Sequence, residues 1–187
     1  MKQIIPALGK QFLFWLLFFA FERTLFLVFN SSMLVAESIS ITEIPGAYCY
    51  SLHLDLAMAC YLMFIPFVFL LVQSVYSPGW LNYFNKVYTA IVLTAYSLIT
   101  TAELGIYSEW KTKLPYKALM YLKHPSEMFN STTTGNFLLL VFLLIGQIVL
   151  AYYIYRRFFF TPIVQLKRNY VFTALFLVLS PGLFVLG

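Results

Sequence analysis

Long apolar runs alternate with short polar connections along the chain. A membrane helix needs about 20 mostly apolar residues. Five runs meet that length, at about 11–30, 54–76, 84–104, 136–159 and 169–187. The pattern predicts an all-α membrane protein, a five-transmembrane-helix bundle. Between the third and fourth runs lies a passage of different character, 105–134. The stretch LGIYSEWKTKLPYKALMYLKHPSEMF, 104–129, interleaves four lysines, two glutamates, two prolines and a histidine with Tyr, Trp, Leu and Met. It is too charged to span and too apolar for a free loop. Pro115 and Pro125 divide it. Residues 116–124, YKALMYLKH, are predicted to form a short amphipathic helix lying in the interface, with Leu119 and Leu122 turned to lipid or to the bundle.

The connections are turn-like. SPGW, 77–80, is a tight turn, and Pro162 stops a helix ahead of a basic cluster. Pro66 and the Pro181-Gly182 pair interrupt apolar runs and predict kinks. The first run follows Lys2 and Lys10, as a signal peptide would. It is broken by Glu22 and Arg23 with no small-residue cleavage site after it, so it is read as a retained helix. No repeat, low-complexity tract or soluble domain is visible, and 1–187 reads as one polytopic membrane domain.

Composition agrees with the pattern. Of 187 residues, 61% are hydrophobic and only 10% charged, against about 25% charged in soluble domains. The 20 Phe and 14 Tyr suit lipid-facing rings and interfacial belts. The formal charge of +5 would raise nucleic acid in a soluble protein. Here the basic residues flank apolar runs, so they act on topology and anionic lipid, and no nucleic-acid partner is expected. With the N-terminus in the cytoplasm, Lys2, Lys10, Lys86, Arg156, Arg157, Lys167 and Arg168 are all cytoplasmic. The first outer loop, 31–53, then holds Glu37 and Glu43 and no Lys or Arg, while the second holds Lys111, Lys113, Lys117 and Lys123. The C-terminus falls outside.

Ionisable groups at membrane depth face other helices or water. Glu22 and Arg23 sit just past the middle of the first run. Neighbours on a helix point about 100° apart, so each looks to another helix, or Arg23 snorkels outward along its stem. Asp55 opens the second helix and Glu103 closes the third, both at the outer face, and either could pair with Arg23. A structural ion pair and a polar site meeting a lipid headgroup both fit. Gln147 reads as a packing or hydrogen-bonding residue within the fourth helix.

Little else carries chemistry. His53 and Asp55 diverge on a helix and make a poor metal site. Two histidines, His53 and His124, with no nucleophile elbow give no triad. There is no P-loop, Rossmann glycine pattern or HExxH. Cys49 and Cys60 read as packed thiols rather than a disulfide. No cofactor is expected in this chain.

Two stretches resemble a known family. SLHLDLAMACYLMFIPFVFLL, 51–71, and AELGIYSEWKTKLPYKALMYLKHPSEMF, 102–129, are similar to the membrane portion of the bacterial lipoteichoic acid synthase-like, sulfatase-fold proteins, with the Bacteroidetes branch closest. There a short L-x-D-L-S/A piece opens the second helix, and here it reads Leu54, Asp55, Leu56 and Ala57. After the third helix the family shows an acidic residue, Tyr and a Trp-containing turn, matched by Glu103, Tyr107, Glu109 and Trp110. A basic L-x-Y piece follows as Lys113, Leu114 and Tyr116, then YLKxPxE as Tyr121, Leu122, Lys123, Pro125 and Glu127. An apolar first helix carrying Arg23 also fits.

The resemblance implies a polytopic enzyme of the alkaline phosphatase superfamily in the bacterial cytoplasmic membrane. Five helices precede an extracytoplasmic domain with a Thr or Ser nucleophile and a divalent metal, manganese or similar. That domain transfers a phosphoglycerol-type or related group from a lipid donor, or hydrolyses a phosphate or sulfate ester. Its positions do not occur in these 187 residues. The chain is therefore expected to be a membrane anchor, inactive alone, whose partners are the phospholipid membrane and its own C-terminal domain. Glu103, Tyr107, Trp110, Lys113, Tyr116 and Lys123 would line the surface that meets the lipid headgroup. Phosphoethanolamine transferases share the plan, and a non-enzymatic scaffold or transporter subunit remains the alternative.

Overall fold

The computed structural model describes residues 4–32, 41–75, 79–110 and 134–162. Every regular element among them is helical. Helix α1 spans Ile4–Phe29, α2 Ile44–Val75, α3 Trp80–Trp110 and α4 Thr134–Ile154. A 3-10 turn, Ile41–Glu43, leads into α2, and a single π-helical turn, Tyr155–Phe159, follows α4. Four stretches are long and apolar enough to cross a membrane: Pro6–Phe29, Ile44–Leu70, Trp80–Tyr107 and Gly135–Phe159. The chain is a multi-pass membrane protein. The fifth helix expected at 169–187 and the interfacial helix expected at 116–124 lie outside the described residues.

Several helix ends differ from the apolar runs, and α1 begins at Ile4 rather than near Gln11. Helix α2 begins at Ile44 rather than near Leu54. Pro45 falls in its first turn, where the missing N–H costs nothing, and the Ser51 hydroxyl donates back to the Ala47 carbonyl. Helix α3 continues to Trp110 rather than stopping near Leu104. Hydropathy marks where the apolar solvent ends, whereas the backbone keeps its hydrogen bonds into the headgroup zone. At the end of α1, the backbone N–H and side-chain amide of Asn30 both donate to the Phe26 carbonyl, at 3.1 and 3.0 Å. They satisfy an acceptor that the helix would otherwise leave open.

The described residues fall into two compact units. The first takes residues 4–21, 41–75, 79–91 and 153–162, and the second takes 22–32, 92–110 and 134–152. In the first unit Phe14 is the aromatic centre. Its ring lies 5.3 Å from Trp15, 5.0 Å from Tyr155 and 5.6 Å from Phe159, centroid to centroid. The π turn that carries Tyr155 inward leaves Arg156, Arg157 and Phe158 exposed. Lys86 Nζ sits 4.4 Å over the Phe160 ring, within cation–π range.

Pro66 lies inside α2, as a kink residue should. Lacking an N–H, it cannot bond the carbonyl four residues back, at Leu62. Tyr88 on α3 donates its hydroxyl to that carbonyl at 2.9 Å. In a membrane no water is at hand to satisfy an orphan carbonyl, so a neighbouring helix supplies the donor.

In the second unit the Phe26 and Tyr107 rings meet edge to face at 4.9 Å. Helices α3 and α4 come close at Gly105, where an added Cβ would lie 3.0 Å from Leu140 Cδ1.

Candidate functional site

The second unit places Glu22 among hydroxyls and an amide. Helix α1 buries one stripe, Gln11, Phe14, Trp15, Phe18, Phe19 and Glu22. That spacing, three and four residues apart, is one face of a helix. Glu22 ends this apolar stripe with a carboxylate that is 4% exposed. On α3, Ser97, Thr100 and Thr101 share a face because they stand three and four residues apart. The Thr100 hydroxyl donates to Glu22 Oε2 at 3.0 Å, and the Ser97 hydroxyl faces the same carboxylate. From α4, Gln147 Nε2 donates to the Ser97 carbonyl at 3.0 Å and to Thr101 Oγ1 at 2.8 Å. A carbonyl only accepts, so the amide nitrogen must face it, and this fixes where Gln147 Oε1 points.

Three buried oxygens of this group have no hydrogen-bond partner among the described residues: Glu22 Oε1, Ser97 Oγ and Gln147 Oε1. Buried polar atoms are almost always partnered, and each orphan costs about 1–3 kcal/mol. Two further such atoms, Trp15 Nε1 and Tyr155 Oη, lie in the first unit, whereas these three belong to one group of interacting side chains.

The first unit holds a second polar group, of amides. Gln11 Nε2 donates to Asn85 Oδ1 and Asn85 Nδ2 donates to Gln11 Oε1, both at 3.2 Å. Gln11 also donates to Thr89 Oγ1 at 3.3 Å, and the Thr89 hydroxyl donates to the Asn85 carbonyl at 2.9 Å. Gln73 donates to Asn82 Oδ1 at 3.4 Å. Among these amides, Tyr155 and Phe160 lies a cavity of about 20 Å³, room for one water molecule.

Of the residues singled out in the sequence, Glu22 is buried and reaches α3 as described. Arg23, Glu103 and Tyr107 are half-buried in the second unit. Asp55 is half-buried and His53 exposed, both well inside α2 rather than at its start. Trp110 closes α3. Lys113, Tyr116 and Lys123 lie outside the described residues. Cys49 and Cys60 are free thiols, Cys60 half-buried and Cys49 exposed rather than packed. Among the described residues, no group of three or more His, Cys, Asp and Glu could hold a metal ion.

Sequence reasoning missed Gln11, Asn85, Thr89, Ser97, Thr100, Thr101 and Tyr88. A signal was present. Asn82, Asn85, Thr89, Ser97, Thr100 and Thr101 recur along α3 at helical spacing and draw one polar stripe down an otherwise apolar helix.

No family model, curated protein or solved structure matches the chain.

Proposed function

We propose that the chain is the membrane domain of a sulfatase-fold, lipoteichoic acid synthase-like enzyme, which it anchors and to which it presents a lipid headgroup. One observation carries the reading. The passage 102–129 reproduces the family's acidic residue, tyrosine, Trp-containing turn and YLKxPxE in order. Helix α3 extends to Trp110 and so carries the first part of that passage, Glu103 and Tyr107, at its end. The N-terminus is cytoplasmic and the C-terminus extracytoplasmic, in the bacterial cytoplasmic membrane. Tyr107, Trp110 and Tyr116 then sit at headgroup depth, and Lys113 and Lys123 meet phosphate as point charges. Glu103 forms part of the same surface. The divalent metal that the resemblance implies belongs to the catalytic domain, and no step in this chain runs through it.

Reading the frame beyond the Gly187 codon tests the proposal. Continuation into a sulfatase-like domain is expected, and a stop with the short product expressed overturns it. In the full enzyme, Lys113→Ala with Lys123→Ala should lower turnover of a lipid donor without lowering the amount in the membrane. The second reading, a non-enzymatic scaffold or transporter subunit, draws on the buried Glu22 group, and the same stop would favour it.

A further inference from the structure

We propose that Glu22, Ser97 and Thr100 form an intramembrane site for one small monovalent cation, with Gln147 positioning Ser97. This goes beyond the anchoring function and does not depend on it. A carboxylate in the hydrocarbon region is expensive unless neutralised. Among the described residues, the side chains that bear on it are the hydroxyls of Thr100 and Ser97. Hydroxyls hydrogen-bond a carboxylate but do not cancel its charge. Arg23 follows Glu22 on α1 but leaves the helix about 100° away.

The ligand class follows from the atoms. The Ser97 hydroxyl bears on the carboxylate, and Glu22 Oε1 is a buried oxygen that ordinary hydrogen-bond geometry leaves open among the described residues. A hydroxyl that donates to a carboxylate keeps its lone pairs, so Thr100 Oγ1, 3.0 Å from Glu22 Oε2, offers a further acceptor. Carboxylate and hydroxyl oxygens suit hard cations. A proton on Glu22 neutralises it and can be donated in a hydrogen bond to the Ser97 hydroxyl oxygen, whereas a cation is held by several oxygens at once, so the proton is the competing occupant that the comparison of salts separates. One carboxylate carries one negative charge, so a single monovalent ion balances it. Gln147 holds the Ser97 backbone from α4 and ties α4 to the site. Glu22 lies two turns before the end of the first membrane span at Phe29, about 10 Å along the axis. That depth leaves a short path to one membrane face.

The experiment is thermal unfolding of the chain in detergent. Lithium, sodium and potassium chlorides are compared with N-methyl-D-glucamine chloride at equal ionic strength. One alkali ion should raise Tm by a few degrees, saturably, and Glu22→Gln should abolish the rise. Ser97→Ala should raise the half-saturating concentration about tenfold, which keeps the test decisive if Glu22→Gln fails to fold. Equal Tm in all four salts overturns the proposal, as does a saturable rise that survives Glu22→Gln. A salt-independent Tm that Arg23→Met lowers sharply overturns it too, by assigning the counter-charge to Arg23.

Discussion

In the first unit Gln11 and Asn85 exchange two hydrogen bonds, and Thr89 takes a third. In the second unit Glu22 receives the Thr100 hydroxyl and is faced by that of Ser97, and one oxygen each of Glu22, Ser97 and Gln147 lacks a hydrogen bond of ordinary geometry among the described residues. Both groups sit on α3 against α1, and both are built from small polar residues in an apolar helix. The difference is that amides carry donor and acceptor together, so a pair can close on itself and stay neutral. A carboxylate only accepts and brings a charge that hydroxyls cannot discharge. The first arrangement completes a helix contact. The second leaves oxygens open among the described residues, and there the proposed cation would bind.

Exchanging the two chemistries should break the comparison most visibly. Gln11→Glu puts a carboxylate against Asn85 Oδ1, an acceptor that then loses its donor. The expected loss is about 2.5–3.5 kcal/mol, the cost of an acidic group at membrane depth. Glu22→Gln removes a charge at nearly constant volume and should cost under about 1 kcal/mol in cation-free buffer. Equilibrium unfolding in mixed micelles measures both. Equal losses would mean that the two groups are alike after all.

A second test concerns one backbone acceptor of the first unit, whose Trp15 Nε1 and Tyr155 Oη have no hydrogen-bond partner among the described residues. Tyr88→Phe removes only the donor to the Leu62 carbonyl. The expected cost is about 1–2 kcal/mol, since the carbonyl is left without a partner away from water. Pro66→Ala restores the N–H that α2 lacks. In that background Tyr88→Phe should cost much less, because the helix then bonds Leu62 itself. A cycle in which the two substitutions simply add would show that Tyr88 does not act through Pro66.

The membrane class of the fold was legible in the sequence because length and apolarity are what a bilayer demands. The four described spans all fall on runs visible in the sequence. The buried face of each helix was much less visible. In α1, Leu13, Leu17 and Phe21 are exposed while Phe14, Trp15 and Phe18 are buried, and nothing in their residue types separates the two faces. Lipid accepts an apolar side chain as readily as a protein core does, so the inside–outside contrast that marks soluble helices is lost. Polar residues are what remains to point inward. Glu22 and Gln147 stood out for that reason. Ser97 and Thr100 did not, because a hydroxyl in a membrane helix can bond its own backbone, as Thr100 also does to the Tyr96 carbonyl at 3.2 Å.

The third test is Gln147→Leu, which removes the donor to the Ser97 carbonyl and to Thr101. The same substitution removes an orphan oxygen, so the gain offsets part of the loss. A net cost of about 0.5–1.5 kcal/mol is expected, within the range for interhelical hydrogen bonds in membranes. A cost above that range would mean that Gln147 Oε1 has a strong partner in the folded protein.

The smallest effect is expected at Gly105, and it bears on how firmly the second unit holds α4. An alanine Cβ there would meet Leu140 Cδ1 at 3.0 Å, closer than ordinary contact, so Leu140 must yield by a few tenths of an ångström. The atom it meets is the far end of a flexible side chain, which can turn. Only 11% of the α4 span is buried, against 28% of each of the other three, so space is open on the lipid side. Against that stands the helix preference for alanine over glycine, about 0.8–1 kcal/mol in exposed helices. Gly105→Ala should therefore change stability by less than about 0.5 kcal/mol, and Gly105→Leu should lose about 1–3 kcal/mol from overpacking. If alanine alone costs as much as leucine, Leu140 is locked in place. Helix α4 would then be a fixed wall of the Glu22 group, and Gln147 would hold Ser97 in one position, not several.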